Sequence, residues 1–332
     1  MLRWFLYIAG GLLLLGLVAL AAGPFLVSTA PQEGLETPAR VAPPGSRFVT
    51  VDLPGTDGLE LHYLEAGTDR EGAPTFVLLH GFTFNAFTWN RIMDDLARHG
   101  RVLAYDQVPY GLSAKPLPGE WSGPSPYTKA AALDHLFAFL EARGVEQAVL
   151  VGNSAGGTLA LEAALRRPDR VEGLILVNPW VYVNRPTFPE WVTRLPQMER
   201  LNLFLARQMG DRAPLLELSY ADPDRIGPER RALTRIHTRV RHWDRAWGEL
   251  FRQSLSSPVE VSDHLAGIRA PALVVVGEAD QVVDPQASLR AAEALPGARA
   301  TRIPDCGHVP QEECPEAMIQ AVEDWLDEVS LP

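Results

Sequence analysis

Apolar residues in this chain fall into short continuous runs, separated by longer helix-like segments. The runs lie at Thr75–Leu79, 149–151, 173–177, 272–276 and 300–303. A continuous apolar run without alternation is typical of a strand that is buried on both faces. The alternation of such strands with helix-like segments from residue 75 onward therefore predicts parallel strands with helices on both faces of the sheet.

The N-terminal segment has a different pattern, because 4–32 carries no charged residue and 4–27 is almost wholly apolar. These 24 apolar residues are enough to cross the roughly 30 Å hydrocarbon core of a bilayer as a helix. We therefore predict a transmembrane anchor at 1–27, followed by a flexible linker at 28–46 that is rich in Pro, Ala, Gly and Thr. Arg3 predicts that the N-terminus stays inside and that the rest of the chain is extracytoplasmic. The alternative is a signal peptide cleaved at Ala19-Leu20-Ala21, which would make the protein secreted.

Composition and charge narrow the class of protein. The chain has 332 residues, of which 46% are hydrophobic, so it can bury a large core. A net charge of −11 and the lack of a basic patch with aromatic residues argue against a nucleic-acid partner. His237 and His242 lack matched carboxylates, so no metal site is predicted there. Cys306 and Cys314 fit either a disulfide, which an oxidising compartment would permit, or two small buried thiols.

The strand at 149–151 runs directly into the pattern Gly152-Asn153-Ser154-Ala155-Gly156, and a helix-forming stretch follows at once. A strand that reverses into a helix within so few residues forces its turn residue into strained backbone angles. The two glycines leave room for the strand and helix to approach closely. The serine hydroxyl would then stand at the helix N-terminus, where partial positive charge favours developing negative charge. The pattern predicts Ser154 as a nucleophile.

Three more chemically relevant positions directly follow apolar strands: the turn His80-Gly81-Phe82, Asp280 and His308. The carboxyl ends of parallel strands meet at one edge of a sheet, so these residues are expected close to Ser154. Serine, acid and histidine in this order predict a catalytic triad of Ser154, Asp280 and His308. Asp284, four residues after Asp280, is a competing acid that ranks second.

Together these motifs resemble the α/β-hydrolase-fold serine hydrolases, in the capped branch that includes esterases and carbon–carbon bond hydrolases. The resemblance covers 47–332 and rests on His80-Gly81, Gly152-Asn153-Ser154-Ala155-Gly156-Gly157, Gly277-Glu278-Ala279-Asp280 and Gly307-His308. The loop 106–113 resembles the family's D-x-x-G-x-G-x-S loop, with Pro109 where the first glycine is usual.

The resemblance implies a mostly parallel eight-stranded sheet with helices on both faces, opened by a hairpin of strands at 48–52 and 59–64. It also implies a helical cap at about 180–264 over the site. An oxyanion hole would be formed by the backbone N–H groups of Ala155 and, by resemblance, Phe82. The many arginines of the cap fit either solvated helix faces or attraction to anionic lipid headgroups or an acidic substrate.

Ser154 is a weak nucleophile without a base, so His308 is assigned as the base and Asp280 as the residue that orients it. We predict a membrane-anchored serine hydrolase that cleaves a small or medium apolar carboxylic ester through an acyl-enzyme, with no cofactor or metal. The expected partners are that ester and, through the N-terminal helix, membrane lipid. The alternatives are carbon–carbon bond hydrolysis of a ring-cleavage product on the same triad, and a non-catalytic binding module that keeps the fold.

Overall fold

The computed structural model describes residues 2–182, 187–329 and 331, apart from several side chains between residues 2 and 17. The strands are β1 Arg47–Val51, β2 Leu59–Ala66, β3 Thr75–Leu79, β4 Arg101–Tyr105, β5 Ala148–Asn153, β6 Val171–Val177, β7 Ala272–Gly277 and β8 Arg299–Ile303. They form one sheet in the order β1-β2-β4-β3-β5-β6-β7-β8. The pairs β1–β2 and β2–β4 are antiparallel, and β3 to β8 pair in parallel. The predicted mostly parallel eight-stranded sheet is confirmed.

The α-helices include both long helices and single turns. They are α1 Leu2–Ala22, α2 Pro38–Val41, α3 Met93–Leu96, α4 Lys129–Ala142, α5 Ala155–Arg166, α6 Glu190–Thr193, α7 Pro196–Arg212, α8 Pro214–Leu218, α9 Pro228–Thr234, α10 Trp243–Ser256, α11 Pro285–Ala294, α12 Pro310–Glu313 and α13 Pro315–Glu328. Short 3-10 helices lie at Gly23–Leu26, Ala86–Trp89, Pro168–Arg170, Pro223–Arg225, Ile236–Arg239 and Val261–Gly267.

The central strands bury both of their faces, as their unbroken apolar runs predict. Leu150 and Val274 belong to a core that includes residues of α4, α5 and α11. Their neighbours Val151 and Leu273 belong to a second core that includes residues of α3 and α13. Successive side chains of a strand point to opposite faces, so a sheet covered on both sides requires apolar residues at every position. The two cores hold the carboxyl edge of the sheet in place.

Helices α6 to α10 lie between β6 and β7 and form the cap. The long helices α7 and α10 pack closely, since a Cβ at Gly210 would lie 2.2 Å from the Trp243 ring. Trp243 and Trp247 are fully buried, and Trp247 stacks on His237 with ring centroids 4.2 Å apart. Trp247 also meets the Tyr110 ring edge-on at 5.6 Å. These aromatic residues therefore pack the cap internally and join it to the loop 106–113.

Several arginines of the cap form ion pairs within the protein. Arg230 pairs with Glu312 outside the cap, Arg231 with Glu217 and Arg252 with Glu249. These contacts give part of the arginine-rich surface a structural role. From the sequence, only solvated helix faces or attraction to an anionic lipid or substrate were anticipated.

Helix α1 lies at the start of the chain, where the transmembrane anchor is predicted. In the part of the chain that the structure describes, no helix combines the length and hydropathy that a membrane crossing needs. The predicted transmembrane anchor at 1–27 is therefore not supported by the described residues.

The predicted flexible linker at 28–46 is instead held against the cap at its start. Arg207 Nη1 donates to the carbonyl oxygen of Ser28 at 2.6 Å. Arg245 Nη2 donates to the carbonyl oxygen of Thr29 at 2.7 Å. The start of the segment thus contacts the cap, and the flexibility of 28–46 stays a prediction. Composition reports how poorly the segment packs by itself. It carries no information about donors that α7 and α10 supply from distant parts of the sequence.

Two buried histidines make the stability of the fold sensitive to mild acid. Burial lowers the pKa of His135 to about 4 and that of His237 to about 3. Below about pH 6.5 the unfolded chain binds protons at both positions and the folded chain does not. Stability is therefore expected to fall as the pH drops from about 6.5 towards 4.

This loss is expected to be about 2 kcal/mol per histidine between pH 7 and pH 5. Denaturant unfolding of the wild type and of His135→Gln at both pH values measures it, and the variant should lose less stability on acidification. His264→Gln removes an exposed histidine and is the control. An equal loss in the wild type and His135→Gln would contradict the prediction.

Candidate active site

Ser154 lies at a sharp turn between β5 and α5, as the motif predicts. Its φ of 54° and ψ of −119° fall in a region that side chains rarely adopt, which costs about 1–3 kcal/mol. A Cβ at Gly156 would lie 2.0 Å from the carbonyl oxygen of Leu79 in β3. A Cβ at Gly152 would lie 2.4 Å from the carbonyl oxygen of Gly156. Only glycine at these two positions lets α5 approach the sheet closely enough to hold Ser154 at its N-terminus.

His308 and Asp280 form a buried pair at the carboxyl edge of the sheet. His308 Nδ1 lies 2.7 Å from Asp280 Oδ2. Asp280 Oδ1 accepts hydrogen bonds of 2.7 and 2.9 Å from the backbone N–H groups two and three residues later. Asp284 instead accepts from the backbone N–H of Gln286 at the start of α11. The geometry therefore favours Asp280 over Asp284 as the acid that orients His308.

Ser154 and His308 line one cavity of about 330 Å³ between the sheet edge and the cap. The other lining residues are mostly apolar: Gly81, Phe82, Phe84, Trp180, Leu215, Ser219, Ser254 and Val282. The structure thus brings Ser154 and His308 to one place, with Asp280 behind His308. An apolar cavity that excludes water strengthens every electrostatic interaction formed inside it.

The predicted oxyanion-hole residues flank this cavity. Phe82 lines it, and Ala155 is the first residue of α5. A Cβ at Gly81 would lie 3.2 Å from Ser154 Cβ, so the turn that carries Phe82 passes close to Ser154. Among the hydrogen bonds within the described residues, none uses the backbone N–H of Phe82 or Ala155. Both donors are available, and their role in binding an oxyanion stays a prediction.

A second compartment of about 170 Å³ shares Phe82, Trp180 and Ser254 with the first. Its lining is mainly apolar and includes Tyr127, Leu159, Leu250 and Val259. The compartment also contains Lys129 Nζ and Glu162 Oε1, which lie 2.9 Å apart. Burial raises the pKa of the Glu162 carboxyl. The two compartments together offer apolar space on both sides of the shared wall.

The loop that carries His308 is held by residues that the sequence analysis does not single out. Asn153 Nδ2 donates to the carbonyl oxygen of His308 at 2.9 Å, and the backbone N–H of His308 donates to the carbonyl oxygen of Ser219 at 2.7 Å. Glu313 is fully buried and accepts from the backbone N–H groups of Gly307, at 2.7 Å, and Ala221, at 3.0 Å. Ser219 and Ala221 belong to the cap, so the cap directly helps to position His308.

His80, which the sequence places near the site, has a supporting position. Its Nδ1 donates to the carbonyl oxygen of Gly81 at 2.9 Å, and its Nε2 accepts from the backbone N–H of Gln107 at 3.0 Å. Burial lowers the pKa of His80, so the ring is neutral near pH 7. Burial would raise the pKa of the neighbouring Asp106, but the charge and hydrogen bond of His62 lower it to about 2. This network fixes the turn that carries Phe82.

Cys306 and Cys314 form a disulfide across the loop of His308, which settles the alternative left open by the sequence. Among the described residues, these two cysteines and Glu313 form the one group close enough together to hold a metal ion. Their sulfurs are bonded to each other and are not thiolates, so this group does not fit a metal.

A serine at a strand–turn–helix elbow, beside a histidine–acid pair on a parallel sheet, defines the α/β-hydrolase architecture. A family model described as alpha/beta hydrolase fold matches residues 74–315. The chain belongs to this family, and the protein is a hydrolase.

Similar proteins carry several hydrolase names. The 2-hydroxymuconate semialdehyde hydrolase of Pseudomonas putida is 30% identical over 239 residues, which cover 69% of this chain and 77% of that protein. An esterase from Thermogutta terrifontis has a TM-score of 0.64 and 26% identity over 85% of this chain and 98% of its own. The structure of a membrane phospholipase A, titled a novel bacterial virulence factor, has a TM-score of 0.63 and 27% identity, and covers 99% of both chains.

The two acids give opposite expectations on substitution. Asp280→Asn removes the acceptor that holds His308 in its tautomer, so kcat for a p-nitrophenyl ester should fall about 10⁴-fold with the fold intact. Asp284→Asn is the matched control. It changes only the side-chain hydrogen bond at the N-terminus of α11 and should retain nearly full activity. A larger loss in Asp284→Asn than in Asp280→Asn would reverse the assignment.

Proposed function

We propose that this protein is a serine hydrolase that cleaves an apolar carboxylic ester through an acyl-enzyme on Ser154. One observation carries the proposal: Ser154, strained at the N-terminus of α5, shares an apolar cavity with His308, which pairs with Asp280. A nucleophile, a base and an oriented acid in an apolar cavity are the parts that acyl transfer requires.

The reaction follows from the positions of these groups. Because His308 Nδ1 is bonded to Asp280, Nε2 is left to take the Ser154 proton as Oγ attacks the ester carbonyl carbon. The oxyanion is stabilised by the N–H groups of Phe82 and Ala155 and by the N-terminus of α5. Collapse breaks the bond to the alcohol, which leaves with the proton from His308. Water, deprotonated by His308, then releases the carboxylic acid and restores Ser154.

The second candidate function is carbon–carbon bond hydrolysis of a ring-cleavage product, which the name of the Pseudomonas putida relative favours. A ring-cleavage product that carries a carboxylate needs a cationic partner. The described lining of the Ser154 cavity contains no lysine or arginine, and Lys129 in the second compartment is paired with Glu162. These apolar walls support an ester over an anionic substrate.

We also propose that α1 attaches the enzyme to a membrane, with the catalytic domain outside the cytoplasm. Trp4 and Tyr7 are each 74% exposed and Leu20 is 77% exposed, which is unfavourable in water and favourable in lipid. The relative titled membrane phospholipase A matches this chain over 99% of both lengths, N-terminal helix included. Membrane attachment would bring the apolar cavity close to ester-containing lipids.

A fluorophosphonate probe tests the triad together with the alternative of a non-catalytic binding module. The wild type should be labelled, and Ser154→Ala should lose both labelling and turnover. Ser254→Ala alters another serine of the same cavity and should keep both. Labelling of Ser154→Ala would disprove the nucleophile, whereas an unlabelled wild type would favour the binding module. A labelled enzyme that cleaves no p-nitrophenyl ester of any chain length would favour carbon–carbon substrates.

Deleting residues 2–22 tests the attachment and leaves the cap-bound segment in place. The full chain should stay in the membrane fraction after an alkaline wash, and the truncated chain should be soluble. Its turnover of a short soluble ester should change by less than about twofold, since none of the described residues of α1 lines either compartment at Ser154. A full chain that washes off would refute attachment by α1. A truncated chain that stays bound would assign the attachment to another surface.

A further inference from the structure

A third cavity, of about 570 Å³, lies where the N-terminal segment meets the cap. Phe25, in the 3-10 helix that follows α1, and Thr29, just after that helix, form its N-terminal side. Helices α7 and α10 contribute the opposite side, including Asn202 and Arg252. The cavity shares no lining residue with the two compartments at Ser154. Its chemistry is therefore separate from the proposed hydrolysis.

Two lining residues of this cavity have buried polar atoms that lack partners within the described residues. Asn202 is 1% exposed, and neither its side-chain nitrogen nor its oxygen forms a hydrogen bond there. The buried Nη1 of Arg252 is likewise without an acceptor, although its other guanidinium nitrogens bind Glu249. Buried amide and guanidinium groups are almost always hydrogen-bonded in folded proteins. A cavity that holds two such groups is built to receive a polar ligand.

The charges of the lining indicate which ligand this is. Arg200 and Arg245 donate to backbone carbonyl oxygens of the N-terminal segment, and neither forms an ion pair within the described chain. The carboxylate of Glu249 is already bonded to Arg252. Glu199, also in the lining and exposed, is the one carboxylate left to face the two unpaired guanidinium groups. The cavity thus has a surplus of positive charge and many N–H donors, which suits a phosphate oxyanion.

We propose that this cavity binds the phosphodiester of a phospholipid headgroup. The assignment to lipid rests on the proposed membrane attachment, since Phe25 lies three residues beyond the end of α1. A helix buried in the apolar layer places the residues that follow it among the headgroups. Arg200, Arg245 and Arg252 Nη1 would face the phosphate oxygens, Asn202 would bind at the floor, and Glu199 would accept from an amine on the headgroup.

Calorimetric titration of the full chain in phosphate-free detergent micelles tests this site. The probes are glycerophosphoethanolamine, which is a phospholipid headgroup without its acyl chains, and inorganic phosphate. The wild type is expected to bind the glycerophosphodiester, and Asn202→Leu to bind it about tenfold more weakly or not at all. Asn202→Asp keeps the side-chain shape but adds negative charge, so it should bind at least as weakly as Asn202→Leu. Arg231→Gln, which alters a cap arginine outside the cavity, should bind like the wild type.

Three results would overturn the proposal. They are no binding by the wild type, unchanged binding by Asn202→Asp, and inorganic phosphate binding more tightly than the glycerophosphodiester, which would make the cavity a free-phosphate site. Turnover of a short soluble ester should stay at the wild-type level in each variant, which also shows that the variants fold. Ser154→Ala should bind the headgroup normally, so failure of the proposed hydrolysis and failure of this site give different results.

Discussion

The close contact between the start of α5 and strand β3 is the constraint on which the site depends. The Cα of Gly156 approaches the carbonyl oxygen of Leu79 so closely that a methyl group there would overlap it. This contact leaves no room for a relaxed connection, so Ser154 takes up the reversal in a strained conformation with positive φ. The free-energy cost of this strained backbone is offset by the packing of the two cores against both faces of the sheet. The strained position of Ser154 therefore depends on a rigid scaffold.

The parts of this architecture that could be predicted from sequence are those encoded by neighbouring residues. Apolar runs locate the parallel strands, and residues directly after them must lie at one edge of the sheet, so Ser154, Asp280 and His308 could be placed near one another in advance. From the sequence, Asp280 could be preferred to Asp284 only because Asp280 lies closer to the end of the strand. In the structure Asp280 bonds to His308, whereas Asp284 bonds to the N-terminus of α11. This difference depends on the path of the loop between the two acids, which the sequence does not reveal.

The interactions that could not be predicted join residues far apart in sequence. Glu313 accepts from backbone N–H groups of Gly307 and Ala221, and Arg207 donates to a backbone carbonyl oxygen of Ser28. Backbone groups are the same at every residue, so such bonds leave no sequence pattern that identifies the partner. The same reason explains why a proline- and alanine-rich segment could look flexible and yet lie against the cap.

These long-range bonds limit how the cap can move. The backbone N–H of His308 donates to Ser219, and Glu313 bonds both the His308 loop and the cap. A hydrogen bond to a charged group such as the Glu313 carboxylate contributes about 1.5–3 kcal/mol. Opening the cap as a rigid body would therefore displace His308, the proposed base. We therefore expect substrate entry that preserves the His308–Asp280 pair to leave the backbone of the cap in place.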